Sequence, residues 1–165
     1  MNDSELDTLA RAAGAALAGR GWCMATAESC TGGWIAEAVT AISGSSAWFD
    51  RGFVTYSNAA KIDMLGVSPA TLTAHGAVSE ATALEMVAGA LERSLADIAV
   101  AVSGIAGPSG GTPDKPVGLV CLAWATRSVP ARALTLRFAG DRYAVRRQTV
   151  LRALQGIVEL ASPAD

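Results

Sequence analysis

The sequence predicts an α/β fold, a three-layer α/β/α sandwich around a mixed, mostly parallel sheet that ends in an antiparallel hairpin. Helix-like and strand-like segments alternate along the first half of the chain. Residues 98–103 form a continuous apolar run, which is typical of a strand buried on both faces. Two further apolar runs, 117–125 and 131–138, are joined by a short connection and predict antiparallel neighbours.

Composition places the chain among compact globular domains. The 165 residues are 51% hydrophobic and 17% charged, which excludes extensive disorder, and this length fits a single domain, 1–165. The net charge of −2 gives no reason to expect nucleic-acid binding. We expect no leader sequence, since no positively charged and then apolar stretch opens these residues, and no apolar run approaches the ~20 residues of a membrane span. Three scattered cysteines favour neither disulfides nor a zinc site, so we expect a cytoplasmic protein.

The first half of the chain predicts two helices and two strands. A helix over 3–20, capped by Ser4, precedes a strand over 22–26. A second helix from residue 34 to about 42 and a second strand over 49–56 follow.

The second half begins with three short helices that carry capping residues. Ser57 and Asn58 cap a helix that ends at Leu65, Ser68 precedes a proline at a helix start, and Ser79 caps the third. The final helix begins at Gly140–Asp141. The glycine-rich loop 104–116 follows the third strand, and a loop of this length in a small domain usually has a function.

A strand-to-helix turn over residues 27–33 is the most distinctive stretch. Such a turn exposes backbone N–H groups at the positive end of a helix dipole, and Gly32 and Gly33 allow a ligand to approach the backbone. Ser29 is therefore either an anion-binding donor or a nucleophile whose oxyanion meets those N–H groups. A capped turn without chemistry is the alternative.

Polar residues also follow two other predicted strands, those over residues 49–56 and 98–103. If the three strands are parallel, their carboxyl ends meet at one edge of the sheet, where open α/β sheets bind ligands. The segments that would converge there contain Ser29 and Thr31, then Tyr56, Ser57, Asn58 and Lys61, then Ser103 and Gly104.

Lys61 is the best candidate for a base that activates Ser29. A lysine serves this role when burial lowers its pKa, although a solvated surface lysine is the alternative. His75 lies in a helix-ending turn and is a weaker candidate. Tyr56 could bind the ligand or relay a proton, or it could simply end a strand. Cys30 is a rival nucleophile, but small free cysteines are usually buried, which favours a packing role.

Three arginines at the start of the last helix could bind a phosphate, or they could form a solvated helix face: Arg142, Arg146 and Arg147. Metal binding lacks support, because Asp63, Asp114 and Asp141 are scattered. The glycine-rich loop fits neither a P-loop nor a dinucleotide fingerprint.

Taken together, these segments resemble the CinA C-terminal domain family. The resemblance spans nearly the whole chain and lies in blocks of the same order: residues 27–33 (AESCTGG), 52–61 (GFVTYSNAAK), 65–67, 75–79 (HGAVS), 103–108 (SGIAGP), 116–120 (PVGLV) and 138–142 (FAGDR). Larger members carry an additional N-terminal domain that these residues do not match, so we expect none of that domain's activity.

The resemblance implies hydrolysis of nicotinamide mononucleotide (NMN) to nicotinate mononucleotide and ammonia, in pyridine-nucleotide salvage. It also implies an α/β/α fold and a homodimer, with no metal and no cofactor. By matching positions Ser29 would be the nucleophile and Lys61 the base. The residues expected around the ligand are Tyr56, Thr31, Gly32, Gly33, Asn58, Ser103, Gly104 and Arg142.

Two other functions remain open from the sequence. The chain could be a nucleotide-binding or regulatory module in which Ser29 only binds phosphate. It could also be a serine amidohydrolase that acts on another small amide.

Overall fold

Five strands and six α-helices make up residues 3–164, the part of the chain that this computed structural model describes. In chain order they are α1 (Ser4–Arg20), β1 (Met24–Glu28), α2 (Trp34–Thr40), β2 (Phe49–Val54), α3 (Asn58–Leu65), α4 (Pro69–His75), α5 (Glu80–Glu92), β3 (Ile98–Gly104), β4 (Leu119–Thr126), β5 (Arg132–Arg137) and α6 (Arg142–Ala161). A single 3₁₀ turn over Ser45–Ala47 precedes β2.

The strands form one mixed sheet in the order β2-β1-β3-β4-β5. β1 pairs in parallel with both β2 and β3, whereas β4 is antiparallel to β3 and to β5. Four strands therefore run in one direction and only β4 runs in the other. The predicted α/β class, the mixed sheet and the closing hairpin are confirmed.

Two apolar clusters lie on opposite faces of the sheet and give the fold its three layers. Side chains of α1, α2 and α6 pack on one face, which includes Val100, Leu122 and the fully buried Trp124. α3 and α5 cover the other face, which includes Ala99 and Ala101. Every residue of β1 is buried and so are the first six of β3, in agreement with the apolar run. Within residues 3–164, no helix has the length and apolar character that crossing a membrane requires.

Capping residues explain most helix starts, with one correction. The side chains of Ser57, Ser68 and Ser79 accept hydrogen bonds from the first turns of α3, α4 and α5, as predicted. At α1 the cap is Asp3 rather than Ser4, because the Asp3 carboxylate accepts from the backbone N–H of the residue three positions later.

The first two strands are shifted from their predicted ranges. β1 begins at Met24 rather than at Trp22, because the Trp22 N–H donates to the Leu17 carbonyl and completes the turn that ends α1. β2 ends at Val54, two residues earlier than predicted. β1 also ends at Glu28, two residues later than predicted, so Ser29 follows the strand directly.

α3 approaches α5 at backbone distance. A side chain at Gly89 of α5 would overlap the Leu65 carbonyl oxygen, and its Cβ would lie 2.8 Å from the carbonyl carbon. Since a backbone group cannot rotate away, only glycine allows this approach. The contact fixes the position of α3, the helix that carries Lys61.

We predict that Gly89→Ala destabilises the protein by about 1–3 kcal/mol, because the added methyl group must push the two helices apart. Gly19→Ala is the matched control, since a Cβ at Gly19 in α1 meets no atom within 4 Å. That control should be neutral or stabilising by roughly 0.5–1 kcal/mol through helix propensity. Urea denaturation measures both, and equal stabilities for the two variants would contradict the backbone contact.

Candidate active site

The carboxyl ends of the three parallel strands converge on one pocket. Ser29 follows β1, Lys61 lies in the helix that follows β2, and Ser103 lies near the end of β3. The pocket has a volume of about 280 Å³, which is near the lower end of the range for small-molecule sites. Its lining consists of Ser29, Cys30, Tyr56, Lys61, Ala77, Val78, Ser103, Gly104, Ala106 and Arg142.

The Lys61 amine lies against the Ser29 hydroxyl. Nζ is 3.0 Å from Ser29 Oγ and donates to the carbonyl oxygens of Thr55 at 2.8 Å and Tyr56 at 3.3 Å. Lys61 is only 1% exposed, and within residues 3–164 it forms no salt bridge. Burial lowers the pKa of the Lys61 amine and so favours the neutral form.

The two carbonyl contacts determine which partner donates in the hydrogen bond between the Lys61 amine and the Ser29 hydroxyl. Carbonyl oxygens accept only, so the two N–H groups of a neutral Lys61 amine are used by Thr55 and Tyr56. The nitrogen lone pair is then left for the Ser29 hydroxyl. In this state the amine can accept the serine proton.

A buried carboxylate organises the turn around Ser29. Glu28 is fully buried and accepts hydrogen bonds from Thr31 Oγ1 at 2.6 Å, Ile35 N at 2.8 Å and Ala36 N at 3.1 Å. Burial raises the pKa of the Glu28 carboxyl, and these hydrogen bonds act in the opposite direction. No role was predicted for Glu28, which lies six residues before the first residue of α2 and so has no capping position in the sequence.

Glu28 changes two expectations about the turn. The N–H groups at the start of α2 were expected to be open to a ligand, but two of them are bound by the chain's own carboxylate. Thr31 was expected to contact the ligand, but its side chain is fully buried and its hydroxyl donates to Glu28. The Thr31 side chain therefore does not reach the pocket, and only its backbone N–H can face the nucleophile.

Arg146 holds the same turn from α6. Its Nε donates to the Cys30 carbonyl and its Nη2 donates to the Thr31 carbonyl, each at 3.0 Å. The sequence offered Arg146 as a phosphate-binding group or as part of a solvated face. The half-buried guanidinium instead binds the backbone of the turn.

The other two arginines of α6 have separate positions. Arg147 forms ion pairs with Asp3 and with a second carboxylate of α1, away from the pocket. Arg142 is exposed and lines the pocket. Its Nη1 donates to the Gly107 carbonyl at 2.8 Å and its Nη2 donates to the Tyr56 hydroxyl at 3.4 Å. Of the three, only Arg142 is available at the pocket.

The far wall of the pocket is a connection that sequence reasoning did not identify. Ala77 and Val78, between α4 and α5, line it. The Ser103 hydroxyl donates to the Ala77 carbonyl at 2.8 Å, and Lys115 Nζ donates to the His75 carbonyl. The loop after β3 is thus tied to this connection. The one sequence signal for this connection was the match of residues 75–79 (HGAVS) to a block of the family.

Several predicted groups lie outside the pocket lining. Asn58 is exposed at the start of α3, and His75 is exposed at the end of α4. Gly32 and Gly33 have φ values of 62° and 101°, so their contribution is to the left-handed backbone of the turn. Cys30 does line the pocket, but burial raises the pKa of its thiol to about 12, which agrees with a packing role.

The architecture and the pocket define a class of α/β/α proteins with a ligand site at the carboxyl edge of a mixed sheet. A family model described as the CinA C-terminal domain matches residues 6–161. The chain belongs to this family.

Relatives with curated names cover almost the whole chain. The nicotinamide-nucleotide amidohydrolase PncC of Escherichia coli strain K12 is 57% identical over 157 residues, which is 94% of each chain. The protein of the same name from Pseudomonas putida is 56% identical over 139 residues, or 83% of this chain and 85% of its own.

Solved structures agree with the fold. The competence/damage inducible protein CihA from Agrobacterium tumefaciens superposes with a TM-score of 0.94 at 50% identity, over 97% of this chain and 98% of its own. A CinA superfamily protein from Klebsiella pneumoniae 700603 gives a TM-score of 0.91 at 43% identity, over 94% and 97% of the two chains.

We predict that Glu28→Gln destabilises the protein by about 1–3 kcal/mol, because the amide NH₂ meets N–H and O–H donors and leaves at least one buried polar group unpaired. The matched control is Glu37→Gln on the exposed face of α2, which should change the unfolding free energy by less than about 0.5 kcal/mol. Chemical denaturation at neutral pH compares the two. A Glu28→Gln variant as stable as the control would show that the carboxylate does not hold the turn.

Proposed function

We propose that this chain hydrolyses the carboxamide of NMN and releases nicotinate mononucleotide and ammonia. The observation that carries the proposal is the 3.0 Å distance between Lys61 Nζ and Ser29 Oγ in a pocket where the amine is buried and unpaired with any described carboxylate. The substrate comes from the relatives named nicotinamide-nucleotide amidohydrolase, which are 57% identical over 94% of the chain.

Acylation is the first half of the proposed reaction. Ser29 Oγ attacks the carboxamide carbon while the neutral Lys61 amine takes the hydroxyl proton. The amide oxygen becomes an oxyanion in a tetrahedral intermediate. When the C–N bond breaks, the ammonium of Lys61 returns the proton to the leaving nitrogen, so that ammonia departs and a serine ester remains.

Deacylation repeats the same proton transfers with water. Lys61, again neutral, takes a proton from a water molecule that attacks the ester carbon. Collapse of the second tetrahedral intermediate breaks the bond to Ser29 Oγ and gives the serine its proton back. The product is the carboxylic acid of nicotinate mononucleotide, which loses its proton to solvent and becomes the carboxylate.

Backbone N–H groups of the turn are the proposed oxyanion donors. The Ser29 N–H donates to the Val102 carbonyl at 3.1 Å, and the Gly32 N–H donates to the Ser29 carbonyl at 3.1 Å, so both are already used. The intervening N–H groups of Cys30 and Thr31 remain as the proposed pair. Such fixed donors stabilise charge that develops in the transition state.

Two polar side chains of the lining suit the rest of the ligand. The Ser103 hydroxyl donates its hydrogen bond to the Ala77 carbonyl, so its oxygen can still accept a hydrogen bond from a carboxamide N–H. Arg142, with Tyr56 beside it, is the charged group at the mouth and is the proposed contact for the phosphate. Gly104 also lines the pocket, and only glycine fits there against β4, since a Cβ would lie 2.6 Å from a Val120 methyl group.

A homodimer and a cytoplasmic location remain predictions from the sequence. So do direct ligand contacts of Asn58, Gly32 and Gly33, and a proton-relay role for Tyr56.

We predict that Ser29→Ala lowers the rate of ammonia release from NMN by at least about a thousandfold, because no group is left to form the acyl-enzyme. The measurement is a coupled ammonia assay, with the product identified by mass spectrometry. Turnover near that of the wild type would refute the nucleophile. Binding of NMN without conversion by the wild-type protein would favour the nucleotide-binding alternative.

A substrate panel completes this experiment. Nicotinamide riboside and free nicotinamide carry the same carboxamide but no phosphate. If Arg142 binds the phosphate, both compounds should react with a much lower kcat/KM than NMN. Preference for an unrelated amide would instead indicate the third alternative, a serine amidohydrolase with another substrate.

We predict that activity and stability both rise with pH through the lowered pKa of Lys61. Below that pKa the amine is protonated and cannot accept the serine proton, so kcat/KM falls on the acid side. Between the folded pKa and the ordinary lysine value the unfolded chain binds one more proton than the folded chain. The unfolding free energy therefore increases with pH by at most about 1.4 kcal/mol per unit in this window.

Lys61→Met isolates that contribution, because methionine is also unbranched but has no titratable group. The difference in unfolding free energy between wild type and Lys61→Met should shift in favour of the wild type as pH is raised from neutral toward 10. A difference that is constant across this range would mean that the pKa of Lys61 is unperturbed.

A further inference from the structure

The Arg146 guanidinium binds the turn that carries Ser29. Arg146 bridges two successive carbonyls, those of Cys30 and Thr31, with both hydrogen bonds at 3.0 Å. Its Cζ also lies 5.3 Å from the centre of the Trp34 ring, at the start of α2. A planar fork that spans two carbonyls and stacks on an indole has a fixed orientation.

Holding these carbonyls also fixes the N–H groups on the other side of the same peptide planes. The carbonyl of Cys30 and the N–H of Thr31 belong to one planar trans peptide and point in opposite directions. The carbonyl of Thr31 and the N–H of Gly32 are related in the same way, and the Gly32 N–H closes the turn onto the Ser29 carbonyl. Arg146 thus sets the direction of the Thr31 N–H, next to the nucleophile.

We propose that Arg146 is a positioning residue for catalysis, which orients the backbone N–H of Thr31, one of the two proposed oxyanion donors. The inference rests on the proposed amide hydrolysis for its substrate. Arg146 acts through the backbone and makes no contact with the ligand, whereas Arg142, one helical turn earlier, faces the pocket. The two arginines of α6 should therefore affect different kinetic constants.

The expected effect of Arg146→Gln is a loss of kcat with little change in KM. Misdirecting one fixed oxyanion donor costs about 10²–10³ in kcat, so we expect a loss of roughly 100-fold with KM within about twofold. The kcat of Arg146→Lys should lie between that of Arg146→Gln and that of the wild type, since an ammonium cannot span both carbonyls.

Arg147→Gln is the matched control. Arg147 is the next residue of α6, its side chain is 26% exposed, and its ion pairs with Asp3 and Glu5 lie outside the pocket. Arg147→Gln loses about as many hydrogen bonds as Arg146→Gln does. We therefore expect a lower melting temperature, while kcat per folded molecule stays near that of the wild type. Adding guanidinium chloride at a few millimolar should partly restore the kcat of Arg146→Ala and should leave the kcat of Arg147→Ala unchanged.

A second readout does not depend on the identity of the substrate. An arylsulfonyl fluoride reacts with an activated serine: Oγ forms a bond to sulfur, fluoride leaves, and the hydroxyl proton passes through Lys61 to solvent. Labelling of Ser29 is followed by intact mass, with Ser29→Ala as the blank. Because the developing sulfonyl oxyanion needs the same N–H donors, we expect labelling to slow in Arg146→Gln and not in Arg147→Gln.

These outcomes separate the two proposals. Slow labelling in Arg146→Gln, with no NMN hydrolysis by any variant, would leave the positioning role intact and refute the proposed substrate. A kcat and a labelling rate equal to those of Arg147→Gln would overturn the positioning role. So would a variant in which only KM rises, because Arg146 would then be a ligand contact.

Discussion

The structure depends on one unusual burial: an amine without a counter-ion is placed inside the protein next to a hydroxyl group. Desolvation of a charged ammonium is costly, and within residues 3–164 no salt bridge to Lys61 compensates for it. The neutral amine avoids this cost, and two backbone carbonyls then satisfy its N–H groups. The same burial that costs stability therefore favours the neutral amine, which is the form that the proposed reaction uses as its base.

The rest of the fold can be understood as the support that this burial requires. β1 delivers the hydroxyl, β2 and α3 deliver the amine, and the close approach at Gly89 keeps α3 against the sheet. Two charged groups hold the turn after β1. The Glu28 carboxylate accepts from backbone N–H groups at the start of α2, and the Arg146 guanidinium donates to backbone carbonyls of the turn. Each of these groups satisfies backbone atoms that the turn would otherwise leave unpaired.

The elements that could be predicted are those with a local physical cause. The caps at Ser57 and Ser79, the buried run of β3 and the hairpin follow from short-range rules, and all are found in the structure. The convergence of three segments at one edge followed from parallel pairing and was also correct. Strand ends were less accurate, as at β1, where the hydrogen bond that completes the end of α1 moves the start of the strand from Trp22 to Met24.

The roles of individual charged side chains could not be predicted, because they depend on contacts between residues far apart in the chain. Arg142, Arg146 and Arg147 look alike in sequence, yet one reaches the pocket, one binds a backbone turn more than 100 positions away and one forms ion pairs with α1. Likewise, nothing local distinguishes Glu28 from a solvent-exposed glutamate. Only the tertiary structure shows that its carboxylate occupies the start of α2.

That internal carboxylate has a consequence for how a nucleotide can enter. In many α/β proteins the helix after the first strand attracts a phosphate, but here the chain's own carboxylate binds the N–H groups at the start of α2, so these donors are not offered to a ligand anion. In the proposed reaction this leaves Arg142 at the pocket as the contact for the phosphate and places the uncharged carboxamide inward, toward Ser29. The polarity of the two ends of the ligand would then set its orientation before any bond is made.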